Sequence, residues 1–202
     1  MKNIFVTAIG TDSGKTVVSA ILCEAFGAYY WKPVQAGLPR DTDTVTSMVS
    51  NKNFRSYPER YLLQTPASPH AAAKVDGVQI KLNDFKIPGN DLTVIEGAGG
   101  CLVPINDDEF VIDLAKHLDC EIVLVSNLYL GSINHTLLTL ELLKNRKMVL
   151  KGIIFNGPST PESERIILHH AGVPCLLRIA QETVMNKERV SHYAQELLKN
   201  WK

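Results

Sequence analysis

Apolar positions along this chain fall into short blocks, with segments of helical spacing between them. Ile4–Ala8, Leu92–Glu96, Glu121–Ser126 and Gly152–Asn156 are apolar runs rich in β-branched residues and bounded by turn formers. Runs of this kind predict strands buried on both faces. Lys15–Phe26 instead carries Val18, Ile21, Leu22, Ala25 and Phe26 on one helical stripe, which predicts a helix. Phe110–Leu118 and Leu137–Lys144 also predict helices, and Tyr29–Val34 predicts a shorter strand closing at Pro33. Strand and helix alternate, so the expected class is α/β, with a mostly parallel sheet flanked by helices on both faces.

Between Pro39 and Asn90 the pattern is less regular, with proline at 39, 58, 66, 69 and 88. The segment keeps apolar residues and has no strand–helix series of its own. It is expected to supply functional loops and helices to one domain spanning 1–202. Near the end, Tyr193, Leu197, Leu198 and Trp201 share one helical face, so Ser191–Lys202 is expected to dock as a helix.

A chain of 202 residues can bury a sizeable core, and 45% hydrophobic content is ordinary for a globular protein. Basic and acidic residues balance at 21 each, which leaves no electrostatic footprint for nucleic acid or an anionic membrane. The start MKNIFVTAIG is too short an apolar run for a secretory signal. No stretch approaches the about 18 apolar residues of a spanning helix. Cys23, Cys101, Cys120 and Cys175 form no CxxC pair, so neither zinc nor a disulfide framework is expected. A cytoplasmic protein is expected.

Gly10-Thr11-Asp12-Ser13-Gly14-Lys15-Thr16 lies between the first expected strand and the first expected helix. A phosphate-binding loop needs that context. Amides at a helix N-terminus bind phosphate oxygens, Lys15 reaches the β- and γ-phosphates, and the Thr16 hydroxyl meets Mg²⁺. Gly10 precedes Gly14 by one residue fewer than GxxxxGK[ST] requires. The strand-loop-helix context nevertheless points to a P-loop NTPase fold that binds a nucleoside triphosphate.

Further segments bear on the chemistry. Trp31-Lys32-Pro33-Val34-Gln35-Ala36-Gly37 puts a lysine at the carboxyl edge of the sheet, where parallel sheets bind ligands. Val94-Ile95-Glu96-Gly97-Ala98-Gly99-Gly100 ends a strand in a carboxylate suited to Mg²⁺. Asp41-Thr42-Asp43, Ala67-Ser68-Pro69-His70 and Gly131-Ser132-Ile133-Asn134-His135 complete the set. His70 reads as a structural histidine in its turn.

In order and spacing, these segments resemble the dethiobiotin synthetase family over about residues 3–157. The resemblance implies ATP- and Mg²⁺-dependent ring closure of 7,8-diaminononanoate with CO₂ through a carbamate and its phosphoric anhydride. It implies Lys15 and Lys32 as catalytic cations, and Thr16, Asp43 and Glu96 at the metal. Asp41 lies close enough to compete with Asp43, which is preferred. Asp12, Ser13, Gly14, Lys15, Thr16 and Val17 would contact the nucleotide, with Asp43, Glu96, Gly97, Ala98, Gly99 and the base-reading Asn156. Thr11 and Ala36 would meet the diamine. Gly131, Ser132, Ile133 and Asn134 would receive its carboxylate across a homodimer interface.

The chain departs from the family pattern at Ala8, where the loop commonly begins with glycine, at Ala36, commonly serine, and at Gly157, commonly aspartate. Gly172–Ile179 matches a late, base-flanking strand only weakly. Two alternatives are a ParA/MinD-like ATPase switch and a related amidoligase. The switch proteins carry an extra lysine early in the loop, absent from positions 8–13. The amidoligases carry a fused glutaminase, for which the chain has no room.

Overall fold

The computed structural model describes residues 2–201. In chain order the elements are β1 Ile4–Ala8, α1 Lys15–Phe26, β2 Tyr29–Trp31, β3 Val34–Ala36, α2 Asp41–Met48, β4 Ser56–Tyr57, β5 Tyr61–Leu63 and α3 Pro69–Val75. After a 3₁₀ turn at Leu82–Asp84 come β6 Thr93–Glu96, α4 Val111–His117, β7 Glu121–Asn127, α5 Ser132–Asn145, β8 Leu150–Asn156, α6 Pro161–Ala171, β9 Cys175–Ile179 and α7 Lys187–Asn200. Seven strands form one sheet in the order β4-β2-β6-β1-β7-β8-β9. Every pairing in it is parallel. This is the expected single-domain P-loop α/β fold.

Period-two alternation divides the core. In β1, Ile4, Val6 and Ala8 pack on one face with α1 and α7, through Val18, Ile21, Leu22, Val190 and Leu197. Phe5 points to the other face, against Ile95, Val111, Ile112 and Ile122. Burying each such side chain contributes about 1.5–3 kcal/mol, so both helical layers are held to the central strand. The C-terminal helix docks as expected, with Phe26 and Trp201 ring centroids 4.9 Å apart. It begins earlier, at Lys187, and Lys202 lies outside the described residues. Among the described residues, no helix is long and apolar enough to cross a membrane.

Several elements differ from expectation or were not anticipated, α6 at Pro161–Ala171 among them. The strand expected over Tyr29–Val34 is two strands, β2 in the main sheet and β3 in a separate pair with β5. Pro33 has no N–H to continue a ladder, and its carbonyl accepts from the Arg60 and Tyr61 amides instead. The break leaves Lys32 at the sheet edge. Helix α5 starts at Ser132 rather than Leu137. Its first turn is anchored through hydroxyls, not an apolar stripe: Thr136 bonds the Ser132 carbonyl at 2.7 Å and the Ser126 hydroxyl at 2.8 Å. Within Gly172–Ile179, matched only weakly to a late strand, Cys175–Ile179 does form β9 beside β8, with Asn156 level with Ile179.

Candidate active site

β1 lies between β6 and β7, where connections leave the sheet in opposite directions. At such a switch point the carboxyl ends of parallel strands open a crevice. Here the crevice holds about 730 Å³, with the loop after β1 at one end. Gly14 adopts a left-handed conformation (φ 96°) as the N-cap of α1 and supplies no side-chain cap. The first amides of the helix therefore remain available to an anion. The Ser13 hydroxyl and the Lys15 ammonium donate to the Gly10 carbonyl at 3.0 and 3.2 Å, closing the loop on itself. Thr11, Asp12, Gly14, Lys15 and Thr16 line the crevice. Val17 packs its side chain into the core beneath, and Ala8 belongs to β1 rather than to the loop.

Glu96 ends β6 with 1% exposure. Its Oε1 accepts from Thr16 Oγ1 and Lys32 Nζ, both at 3.0 Å. Its Oε2 accepts from the buried Tyr30 hydroxyl at 2.9 Å. Lys32 also reaches Asp41 Oδ2 at 2.7 Å and the Gly97 carbonyl at 3.1 Å. Burial would push its pKa down, but the Glu96 and Asp41 charges and hydrogen bonds outweigh that and raise it above the ordinary lysine value. Lys15 is the opposite case. Burial, and then the Lys32 charge, hold its pKa below the ordinary value.

Asp41, not Asp43, faces this cluster. Asp41 Oδ1 lies 3.3 Å from Thr16 Oγ1, whereas Asp43 bonds Arg40 at 2.6 and 3.0 Å with a side chain 59% exposed. The geometry therefore brings Asp41, rather than Asp43, to Thr16 and Glu96. Two positions along a helix turn a side chain about 200°, so once Asp41 opens α2 toward the sheet edge, Asp43 must face away. Thr16, Asp41 and Glu96 converge as hard oxygen donors. That set suits Mg²⁺, which takes one or two carboxylates and completes its shell with substrate phosphates and water. Among the described residues, no cluster of three or more His, Cys, Asp or Glu side chains offers a separate cage.

The crevice is also lined by the apolar side chains of Val34, Ala36, Pro66, Ala67 and Val103 and by Ala98 and Gly99. His70 stays outside it, its Nδ1 3.1 Å from the Ser68 hydroxyl at the start of α3. Asn156 reaches the loop, donating from Nδ2 to the Ser13 carbonyl. Gly131, Ser132, Ile133 and Asn134 do not line the crevice. They form the uncapped N-terminus of α5, beside the exposed apolar side chains of Tyr129, Leu130 and Leu138.

Tyr30 and Gln35 were not anticipated. Gln35 Oε1 accepts from the Asp41 amide and its Nε2 donates to the Gly37 carbonyl, both at 3.0 Å, which fixes the start of α2. Tyr30 carries a readable signal, since it lies two residues before Lys32 and so on the same strand face. Gln35 carries none.

A family model described as an AAA domain matches residues 2–189. The chain is 54% identical to ATP-dependent dethiobiotin synthetase BioD of Cytophaga hutchinsonii, covering 100% of this chain and 99% of that one. It is 45% identical to the protein of the same name from Christiangramia forsetii, covering 98% and 97%. The protein of that name from Brucella melitensis is 42% identical, covering 94% and 91%. Among solved structures, the septum site-determining protein MinD of Pyrococcus horikoshii, complexed with Mg-ADP, superposes with a TM-score of 0.59 at 16% identity, covering 98% of this chain and 94% of that one. A chain of the MinC:MinD cell division protein complex of Aquifex aeolicus gives 0.63 at 12% identity, covering 98% and 95%. At such identities the likeness is one of fold.

Proposed function

The chain belongs to the family of ATP-dependent dethiobiotin synthetases and is a ligase, and from that premise we propose that it closes the ureido ring of 7,8-diaminononanoate with CO₂ and ATP in biotin biosynthesis. The observation that supports this reading is the crevice itself, whose lining combines a phosphate loop and two lysines with the apolar side chains of Val34, Ala36, Pro66 and Val103.

In the proposed reaction, one amine adds CO₂ to give a carbamate. A carbamate oxygen attacks the γ-phosphorus and ADP leaves. The second amine then attacks the carbonyl carbon of the anhydride, the C–O bond to phosphate breaks, and a cyclic urea and phosphate remain. Both reactants of the phosphoryl step are anions, so fixed positive charge is what the site must supply. Lys15 serves the triphosphate from the loop. Lys32 serves the carbamate side and is preorganised by three oxygen partners. Mg²⁺, held by Thr16, Asp41 and Glu96, would add charge that neutralises phosphoryl oxygens. Val34, Ala36 and Val103 hold the alkyl chain, and positioning accelerates the intramolecular ring closure.

The active unit we propose is a homodimer. The carboxylate of the diamine meets the N-terminus of α5 at Gly131–Asn134 of the neighbouring subunit, where the helix dipole favours an anion and the Ser132 amide is already bonded to the Tyr129 carbonyl. Asn156, whose Oδ1 is not engaged with the loop, is the proposed reader of the base. Four free cysteines suit a reducing cytoplasm. Incubation with ATP, Mg²⁺, ¹³C-bicarbonate and the diamine tests the reading. Dethiobiotin labelled at the urea carbon, with one ADP per ring, is the expected product. ATP turnover that ignores the diamine contradicts it.

A further inference from the structure

The carboxylate of Glu96 has one oxygen directed at Thr16 and Lys32, and the other is held from behind by Tyr30. Tyr30 is fully buried in β2, one strand away from β6 in the sheet, and its hydroxyl donates to Oε2 at 2.9 Å. Neighbouring strands fix both backbones, with Tyr30 level with Val94. A phenol on a strand has two rotatable bonds, both locked here by packing against the core around α1.

We propose that Tyr30 is a positioning residue that fixes the orientation of the Glu96 carboxylate, so that Oε1 faces the cation and Lys32. A carboxylate held through a single oxygen can rotate about its last bond. Tyr30 removes that rotation at a point remote from the substrates. The proposal rests on the reading of Thr16, Asp41 and Glu96 as the Mg²⁺ set. Losing a partner that orients a metal-binding carboxylate costs about 10–100-fold in metal affinity.

Tyr30→Phe removes the hydroxyl and keeps the ring. Mn²⁺, which reports by electron paramagnetic resonance, is titrated into wild type and variant in the presence of ADP, and ADP affinity is measured separately in EDTA. The expected result is Mn²⁺ binding about 10–100-fold weaker in the variant. Cation-free ADP affinity stays unchanged, and the apparent KM for Mg²⁺ rises more than kcat falls. Thermal melting of both proteins establishes that the binding assays are read on folded protein. Mn²⁺ affinity unchanged in folded Tyr30→Phe overturns the inference while leaving the metal reading intact. A loss of cation-free ADP affinity equal to the loss for Mn²⁺ also overturns it, since that marks a general distortion. A wild-type ADP complex that takes no Mn²⁺ overturns the metal reading, and this inference with it.

Discussion

The Asn156 side-chain amide donates to the Ser13 carbonyl at 3.0 Å, stitching the end of β8 to the phosphate loop across 143 positions of sequence. The same amide occupies the space that a β-carbon on Gly14 would need, and Gly14 sits at φ 96°. Gly14→Ala therefore meets both a clash and backbone strain of about 1–2 kcal/mol. ATP affinity is expected to fall by about 10-fold or more, with a lowered melting temperature. Isothermal titration and thermal melting check this, and wild-type affinity contradicts the tie.

The two lysines should separate in stability while agreeing in activity. Lys32→Ala leaves Glu96 buried without its cation, which costs about 3–5 kcal/mol. Lys15→Ala removes an ammonium that burial and the Lys32 charge already disfavour, so stability holds or rises. Either change lowers turnover by about 10²–10³. The pH dependences have opposite signs. Stability from Lys32, whose folded pKa is raised, is present below the unfolded value of 10.5 and is lost as pH climbs through the folded value. The penalty from Lys15, whose folded pKa is lowered, is present at neutral pH and disappears as pH climbs toward 10.5. Urea denaturation at neutral and alkaline pH reads both effects.

Asp41→Asn and Asp43→Asn decide between two carboxylates that lie two positions apart. Asp41→Asn is expected to lower Mg²⁺-dependent turnover by about 10²-fold. Asp43→Asn loses only an exposed pair with Arg40, worth about 0–1 kcal/mol, and keeps its turnover. Steady-state assays across Mg²⁺ concentrations separate them, and the reverse outcome restores Asp43 to the metal.

What the sequence made legible was local. Strand β1, its loop and helix α1 follow one another, so an apolar run, a glycine turn and a helical stripe locate Lys15 and Thr16 without tertiary information. Lys32 and Glu96 were legible because each lies at the carboxyl end of a strand, Lys32 just past β2 and Glu96 closing β6. The approach of Asp41, rather than Asp43, to this cluster was not, since it depends on where α2 begins, and that is fixed by Gln35 through a side-chain contact no periodicity encodes. The first turn of α5 hid for a related reason. It is anchored by the Thr136 hydroxyl, bonded to the Ser132 carbonyl and the Ser126 hydroxyl, so the apolar pattern starts a turn late. Strand β9 carries the polar Arg178 within a five-residue run and pairs only at the sheet edge.

If Gly131–Asn134 serve the neighbouring subunit, two inactive proteins should complement. Lys15→Ala and Asn134→Ala, mixed under subunit exchange, form heterodimers that each hold one intact site. Random exchange then restores about a quarter of wild-type activity per chain, because half of the dimers are mixed. Demonstrated heterodimers without activity contradict a shared site.

The central claim is that a carbamate oxygen attacks the γ-phosphorus and later leaves with it. Single-turnover reaction with C¹⁸O₂, quenched before exchange with water, reads this step. One ¹⁸O is expected in the released phosphate and one in the urea carbonyl of the product. Phosphate free of ¹⁸O, alongside labelled dethiobiotin, would contradict it.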